Sequence, residues 1–178
     1  MIDFWVSIGS TYSYLTVMRL STVEQETGVK FRWRPFSVRA IMIEQKNIPF
    51  VGKPVKLAYM WRDIERRARA RGLDPRVPAP YPLKEFDLAN RVAIVGDAED
   101  WCADYVRAVY RHWFHLSHEP GLEPGLSDAL SEIGQNPARV VEAAKSEEIG
   151  ERYKAATEEA KSLGVFGSPT FVVDGEVF

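Results

Sequence analysis

The sequence predicts an α/β fold in which a β-α-β unit opens the chain, a β-hairpin lies at its far end, and helices fill the middle. Three observations predict it. Apolar residues alternate over 2–8 and again over 29–35, with a helical stripe between them. A further strand signal at 170–173 runs into Asp174-Gly175. The intervening sequence carries helical periodicity interrupted by proline and glycine.

Ile2, Phe4, Val6 and Ile8 alternate with Asp3, Trp5 and Ser7, which places one set of side chains on a buried sheet face. Gly9-Ser10-Thr11 supplies a turn and a capping residue. Tyr14, Val17, Met18 and Ser21 then recur at the i, i+3, i+4 and i+7 spacing of a helix that ends at Gly28. Val29, Phe31, Trp33 and Pro35 alternate with Lys30, Arg32 and Arg34 in a second strand, which stops where proline withdraws its amide donor. A right-handed crossover makes these two strands parallel.

Leu57, Met60, Trp61, Ile64 and Ala68 form an apolar helical stripe ending at Gly72 and Pro75, followed by a stiff segment with Pro75, Pro78, Pro80 and Pro82. Cys102, Tyr105, Val106, Val109, Tyr110 and Trp113 form another stripe. Beyond the Pro120-Gly121 and Pro124-Gly125 loop come shorter helices, the last from about Ser146 to Leu163. Thr170–Val173, Asp174-Gly175 and Glu176-Val177-Phe178 read as a hairpin with a two-residue turn. Together these elements describe a thioredoxin-like fold. Residues 1–37 and 164–178 form its core domain, incomplete at the C-terminal end, and 38–163 form a large all-helical insertion.

The 178 residues, 46% hydrophobic, suit one domain with one sizeable core. A net charge of −2 creates no field that would gather nucleic acid or an anionic membrane, so small molecules are the expected partners. The single cysteine, Cys102, excludes an intrachain disulfide and fits a reducing compartment. The N-terminus lacks the basic leader and apolar run of a secretory signal, and no apolar stretch is long enough to span a bilayer. A soluble, cytoplasmic protein is expected.

Two constellations carry chemistry. The first is Ser10-Thr11-Tyr12-Ser13 at the junction of strand and helix. Unpaired amides at a helix start favour a thiolate, and redox members of this fold place Cys-x-x-Cys there. A serine cannot exchange electrons, but it can donate a hydrogen bond to a thiolate carried by another molecule. Ser10 as a plain N-cap is the alternative at this position. The second is Val165-Phe166-Gly167-Ser168-Pro169-Thr170-Phe171, a turn running straight into a strand. A cis proline there would direct the backbone groups of Ser168 toward the site, where an extended peptide could pair with them; an ordinary trans turn is the alternative.

Asp3-Phe4-Trp5 followed by Ser10-Thr11-Tyr12-Ser13-Tyr14-Leu15, with Trp33-Arg34-Pro35-Phe36 and Gly164 to Phe171, resembles the 2-hydroxychromene-2-carboxylate isomerases and kappa-class glutathione transferases, a family with a DsbA-like thioredoxin fold. Asn47, Pro49, Lys56, Tyr59 and Asp63 also fit its spacing. The resemblance implies that glutathione is the cofactor. Ser10 would hydrogen-bond its sulfur, Lys56 would pair with one of its carboxylates, Asn47 would border the glycyl or substrate end, and Ser168 and Pro169 would meet the cysteinyl backbone. It further implies a small aromatic substrate, against which Tyr12 and Tyr81 are candidate walls, and a homodimer. The implied reaction is isomerisation: the thiolate adds to the conjugated substrate, a double bond becomes a rotatable single bond, and elimination returns glutathione unchanged. A glutathione transferase and a non-catalytic peptide-binding module are the competing readings.

Two departures stand out. Thr11 occupies a position where the family usually has proline, and the sequence stops at Phe178, before the strand, turn and helix that would complete the γ-glutamyl pocket, so further residues are expected, with a pocket completed by a partner as the alternative. Elsewhere Cys102 reads as a core thiol, and the run Arg62, Arg66, Arg67, Arg69 and Arg71, broken by Asp63 and Glu65, as a solvated helix face. His112, His115 and His118 on one continuous helix would point about 300° apart in turn, so no metal is expected.

Overall fold

A computed structural model describes residues 1–178. The elements run β1 (Ile2–Val6), α1 (Ser13–Val17), α2 (Leu20–Thr27), β2 (Phe31–Pro35), α3 (Val38–Glu44), α4 (Pro54–Arg69), α5 (Phe86–Ala98), α6 (Cys102–Leu116), α7 (Gly125–Glu132), α8 (Pro137–Lys145), α9 (Glu147–Ser162), β3 (Thr170–Val173) and β4 (Glu176–Val177). The sheet order is β2-β1-β3-β4. β1 and β2 are parallel, Ile2 opposite Phe31 and Val6 opposite Pro35. β3 is antiparallel to β1 with Phe171 opposite Phe4, and β4 folds back on β3. This is the thioredoxin-like arrangement expected, with the helices α3 to α9 entering between β2 and β3.

Both faces of the sheet are covered, whereas the alternation in β1 had suggested one. Phe4 and Trp5 point to opposite faces, and each is 0% exposed. Phe4 packs against Trp33 and Phe171 on its side; Trp5 meets Phe36 and the Arg34 guanidinium on the other. One continuous cluster of 43 buried residues runs from the strands through α4, α5 and α6 to α9. At about 25 cal/mol per Å² of apolar area, that shared burial couples the sheet and the helical segment.

Two elements end earlier than their periodicity implies, each for a local reason. β1 stops at Val6 because the next amides leave the ladder: Ser7 N donates to Ser168 Oγ and Ile8 N donates to Asn90 Oδ1. The helix expected to run unbroken to Gly28 is divided at Met18-Arg19, where the Arg19 amide reaches the Thr16 carbonyl at 2.9 Å in a tightened turn. The offset buries Leu20, and Ser21 is exposed. Gly28 closes α2 in the left-handed conformation, as its position predicted.

The helix α5 has no counterpart in the sequence reading. It is buried nearly all round, through Phe86, Ala89, Asn90 and Val92 to Gly96, so it presents no polar face to define a stripe. It nevertheless supplies the buried amide that holds the end of β1.

Candidate active site

The site forms where the β1–α1 loop meets the loop before β3. Gly9 has φ 119°, and a Cβ on it would lie 2.5 Å from the Phe86 ring, so glycine alone lets the loop turn so close to α5. Asn90 secures the preceding residue on both sides: its Oδ1 accepts from Ile8 N at 2.8 Å, and its Nδ2 donates to Ile8 O at 2.8 Å and to Phe86 O at 2.9 Å. Asn90 thereby satisfies two backbone groups that the end of the strand leaves unpaired. Tyr110 on α6 supports the same loop, donating its hydroxyl to Ser10 O at 2.9 Å, with Ser7 O at 3.3 Å.

Four serines converge on this frame. Ser10 Oγ donates to the Ser168 carbonyl at 2.5 Å. Ser168 Oγ accepts from Ser7 N at 2.9 Å and pairs with Ser13 Oγ at 2.9 Å. The Ser168-Pro169 bond is cis, as the loop reading expected. Ser10 is half-buried and does not cap α1, whose N-cap is Tyr12 with no side-chain hydrogen bond. The capping alternative for Ser10 is therefore set aside: its hydroxyl links the two ends of the chain.

Of the other candidates, Tyr12 is half-buried and donates to Asp63 Oδ2 on α4 at 2.8 Å. Burial first, and then the Asp63 hydrogen bond and charge, push its phenol up to about 12. Asp63 in turn accepts from Arg67 Nε at 2.8 Å. Thr11 is buried and contacts Met60 Sδ at 3.0 Å, so the residue in place of the family's proline is packed against α4. Tyr81 lines an open groove of about 650 Å³ with Leu57, Trp61 and Pro80, and Tyr12 lies outside that lining. The two candidate walls of the substrate pocket are thus both tied to α4, Tyr12 through Asp63 and Tyr81 through the Trp61 ring.

Lys56 and Asn47 are exposed, and no hydrogen bond joins either to the serine cluster. The Lys56 ammonium sits 5.6 Å above the Phe50 ring and borders a shallow groove of about 530 Å³ with Tyr59. Asn47 follows α3, its amide donating to Met42 O at 2.8 Å. Cys102 is buried in the core, where desolvation drives its thiol well above the usual range and keeps it from acting as a nucleophile.

Sequence reasoning missed Asn90, Tyr110 and Ser7. Asn90 had a signal, a polar amide inside an otherwise apolar segment; Tyr110 sat in an apolar stripe that gave its hydroxyl no visible task. Ser7 acts through its amide, which no side-chain pattern reveals.

A thioredoxin-type sheet whose helix-start position holds serine, facing a cis-proline loop, defines a thioredoxin-fold protein without the cysteine pair of the redox members. The chain belongs to the DSBA-like thioredoxin domain family, whose model matches residues 1–178. Among curated relatives, 2-hydroxychromene-2-carboxylate isomerase of Sphingobium xenophagum is 25% identical over 99% of this chain and 90% of its own length. Glutathione S-transferase kappa 1 of Caenorhabditis elegans is 26% identical over 98% of this chain and 81% of its own. Among solved structures, a 2-hydroxychromene-2-carboxylate isomerase superposes with a TM-score of 0.87 at 27% identity, covering 99% of this chain and 87% of that one. No helix is long and apolar enough to cross a membrane.

Proposed function

We propose that this protein is a glutathione-dependent isomerase acting on 2-hydroxychromene-2-carboxylate or a related aromatic-degradation intermediate. The observation that carries the reading is the Ser10–Ser168 pair, an oxygen donor beside a backbone acceptor at the place where the fold handles thiols. Relatives named for this isomerase, aligned over nearly the whole chain, support the substrate class.

The donor set fits glutathione. Ser10 offers one hydroxyl proton, and Ser168 offers a carbonyl suited to a peptide N–H. Lys56 offers an exposed ammonium for a carboxylate, and Asn47 an exposed amide. When bound, glutathione supplies a thiolate that adds to the conjugated substrate and departs after rotation about the saturated bond.

This chain's part is to place and hold charge. Ser10 has a single proton, so donation to a thiolate requires its hydroxyl to turn away from the Ser168 carbonyl. That carbonyl would then be free to accept from a ligand's backbone amide, so that both groups could stay paired. Tyr110 holds the Ser10 backbone while the hydroxyl rotates, and Ser7 and Ser13 hold the Ser168 side chain. Pro169 fixes the direction of the Ser168 carbonyl. Tyr12, tied to Asp63, and the groove beside Tyr81 offer aromatic surface for the substrate ring.

A kappa-class-like transferase, which would release a conjugate instead of an isomer, is favoured by one observation, the similarity to the nematode kappa enzyme. A cytoplasmic location, where glutathione is abundant, and a homodimer belong to the same proposal. The deciding assay follows 2-hydroxychromene-2-carboxylate with and without reduced glutathione. Isomer formed only with glutathione, with glutathione recovered unchanged, is expected; a stoichiometric conjugate would establish the transferase, and no turnover of either kind would overturn the enzyme reading.

A further inference from the structure

A second convergence of chemistry-bearing side chains lies at the end of α6, apart from the serine cluster. His112 is 9% exposed, and its Nε2 is held by Glu132 Oε2 at 2.8 Å. Its other nitrogen, Nδ1, is buried without a hydrogen-bond partner. A neutral ring that donates from Nε2 to a carboxylate carries its lone pair on Nδ1, which is the arrangement carboxylate–histidine pairs use to present a ligand to a metal.

Only His112 and His115 belong to the helix proper, so the spacing of three histidines along one helix does not describe the region. α6 ends at Leu116, and Ser117 takes the left-handed conformation at φ 60°. His118 N then donates back to His112 O at 3.1 Å, and the reversal brings the two imidazoles to 5.7 Å between centroids. His118 Nδ1 is likewise buried and unpartnered, with Asp128 Oδ2 of α7 at 3.7 Å, too far for a hydrogen bond. α7 comes this close because Gly125 begins it: a Cβ there would lie 2.8 Å from His118 Cβ. His115 turns the other way, to the Tyr14 hydroxyl at 3.0 Å.

One ligand atom from each of His112, His118 and Asp128 lies within 4.8 Å of the others. Around a tetrahedral zinc with bonds of about 2.0–2.2 Å, ligand atoms are about 3.3–3.6 Å apart, so closure requires a shift of about 1 Å. The exposed Asp128 and the partly exposed His118 have the rotamer freedom for it. Neither Nδ1 finds a hydrogen-bond partner in the chain, whereas a cation would engage both together with the carboxylate.

We propose that His112 Nδ1, His118 Nδ1 and a carboxylate oxygen of Asp128 bind a divalent zinc-class metal ion, with solvent as the fourth ligand. Glu132, which Arg111 also contacts, orients His112 from the outer shell. The ion would clip the end of α6 to the start of α7. Because Tyr110 on α6 holds the Ser10 backbone, the clip would steady the helix that supports the serine loop.

The test uses the full chain stripped of metal with a chelator, titrated with Zn²⁺ against a chromophoric competitor, with thermal melts of each metal-free variant to establish folding. One ion per chain with a dissociation constant of about 1 μM or tighter is expected, weakened about 10-fold or more in both His118→Ala and Asp128→Asn and unchanged in His115→Ala. Wild-type affinity weaker than about 100 μM, equal affinity in the His118 and Asp128 variants, or dependence on His115 would overturn the proposal.

Discussion

The Ser10 hydroxyl donates to the carbonyl of Ser168 at 2.5 Å, joining residues separated by 158 positions in the chain. Each end of this bond is fixed by other elements, Ser10 through the Tyr110 hydroxyl on its carbonyl and Ser168 through the Ser7 amide on its side chain. The Ser10 proton and the Ser168 lone pair are the groups a thiol peptide would use, and here they satisfy each other. On the proposed glutathione reading, binding would exchange this pair for contacts with the ligand, leaving neither group unpaired.

Ser10→Ala should fold normally and lose about 1 kcal/mol, the net value of one hydrogen bond, because both partners are only half-buried. Denaturant melts measure this. A much larger loss would make Ser10 a structural residue first.

Asn90→Ala should be far more damaging. It leaves both backbone groups of Ile8 unpaired in the core, and a loss of about 2–4 kcal/mol is expected from equilibrium unfolding. Asn90→Asp should recover little, since a carboxylate can replace Oδ1 but cannot donate to Ile8 O.

These two variants mark what was legible in the sequence and what was not. The strands, the Ser10 turn, the Ser168-Pro169 loop and the helix from Pro54 announce themselves through periodicity and punctuation, which are local properties. Asn90 does not, because its task is set by where α5 lies against the end of β1, 82 residues away in the chain. The break at Met18-Arg19 escaped for a related reason: no proline or glycine marks it, and a tightened turn decides it. Tyr12 and Tyr81 were grouped as aromatics on the substrate side, but the Asp63 hydrogen bond, invisible to periodicity, fixes where Tyr12 goes.

Tyr110→Phe keeps the ring that packs against Trp113 and Phe114 but removes the donor to Ser10 O. Stability should fall by about 1 kcal/mol while the hydrophobic core persists. If the Ser10 backbone must be held for turnover, kcat should fall more than KM rises, as steady-state kinetics with the chromene substrate would show.

Alkaline pH should destabilise the fold in a defined window. Tyr12 and Tyr14 are each raised to about 12, in both cases chiefly by burial, with Asp63 and Asp74 respectively adding to the effect. A phenol that titrates near 10 when unfolded stabilises the native state fully below that pH, and the contribution disappears as pH rises from about 10 through 12. Asp63→Asn should lower the Tyr12 midpoint, because it removes the negative charge that opposes phenolate formation. Phenolate absorbance and melting temperature across this range follow both changes.

Cys102 should be silent toward thiol reagents in the native protein and react once the chain is unfolded, because burial holds its thiol protonated. Activity that survives long exposure to such a reagent would agree with a thiol supplied from outside the chain.

The central claim, that Ser10 serves a thiolate brought by glutathione, is tested most directly by calorimetric titration of wild type and Ser10→Ala with reduced glutathione, following thiolate absorbance across pH in the same samples. Saturable binding with a glutathione thiol pKa lowered in wild type but not in Ser10→Ala is predicted. No binding, or an identical thiol pKa in the two proteins, would contradict the account.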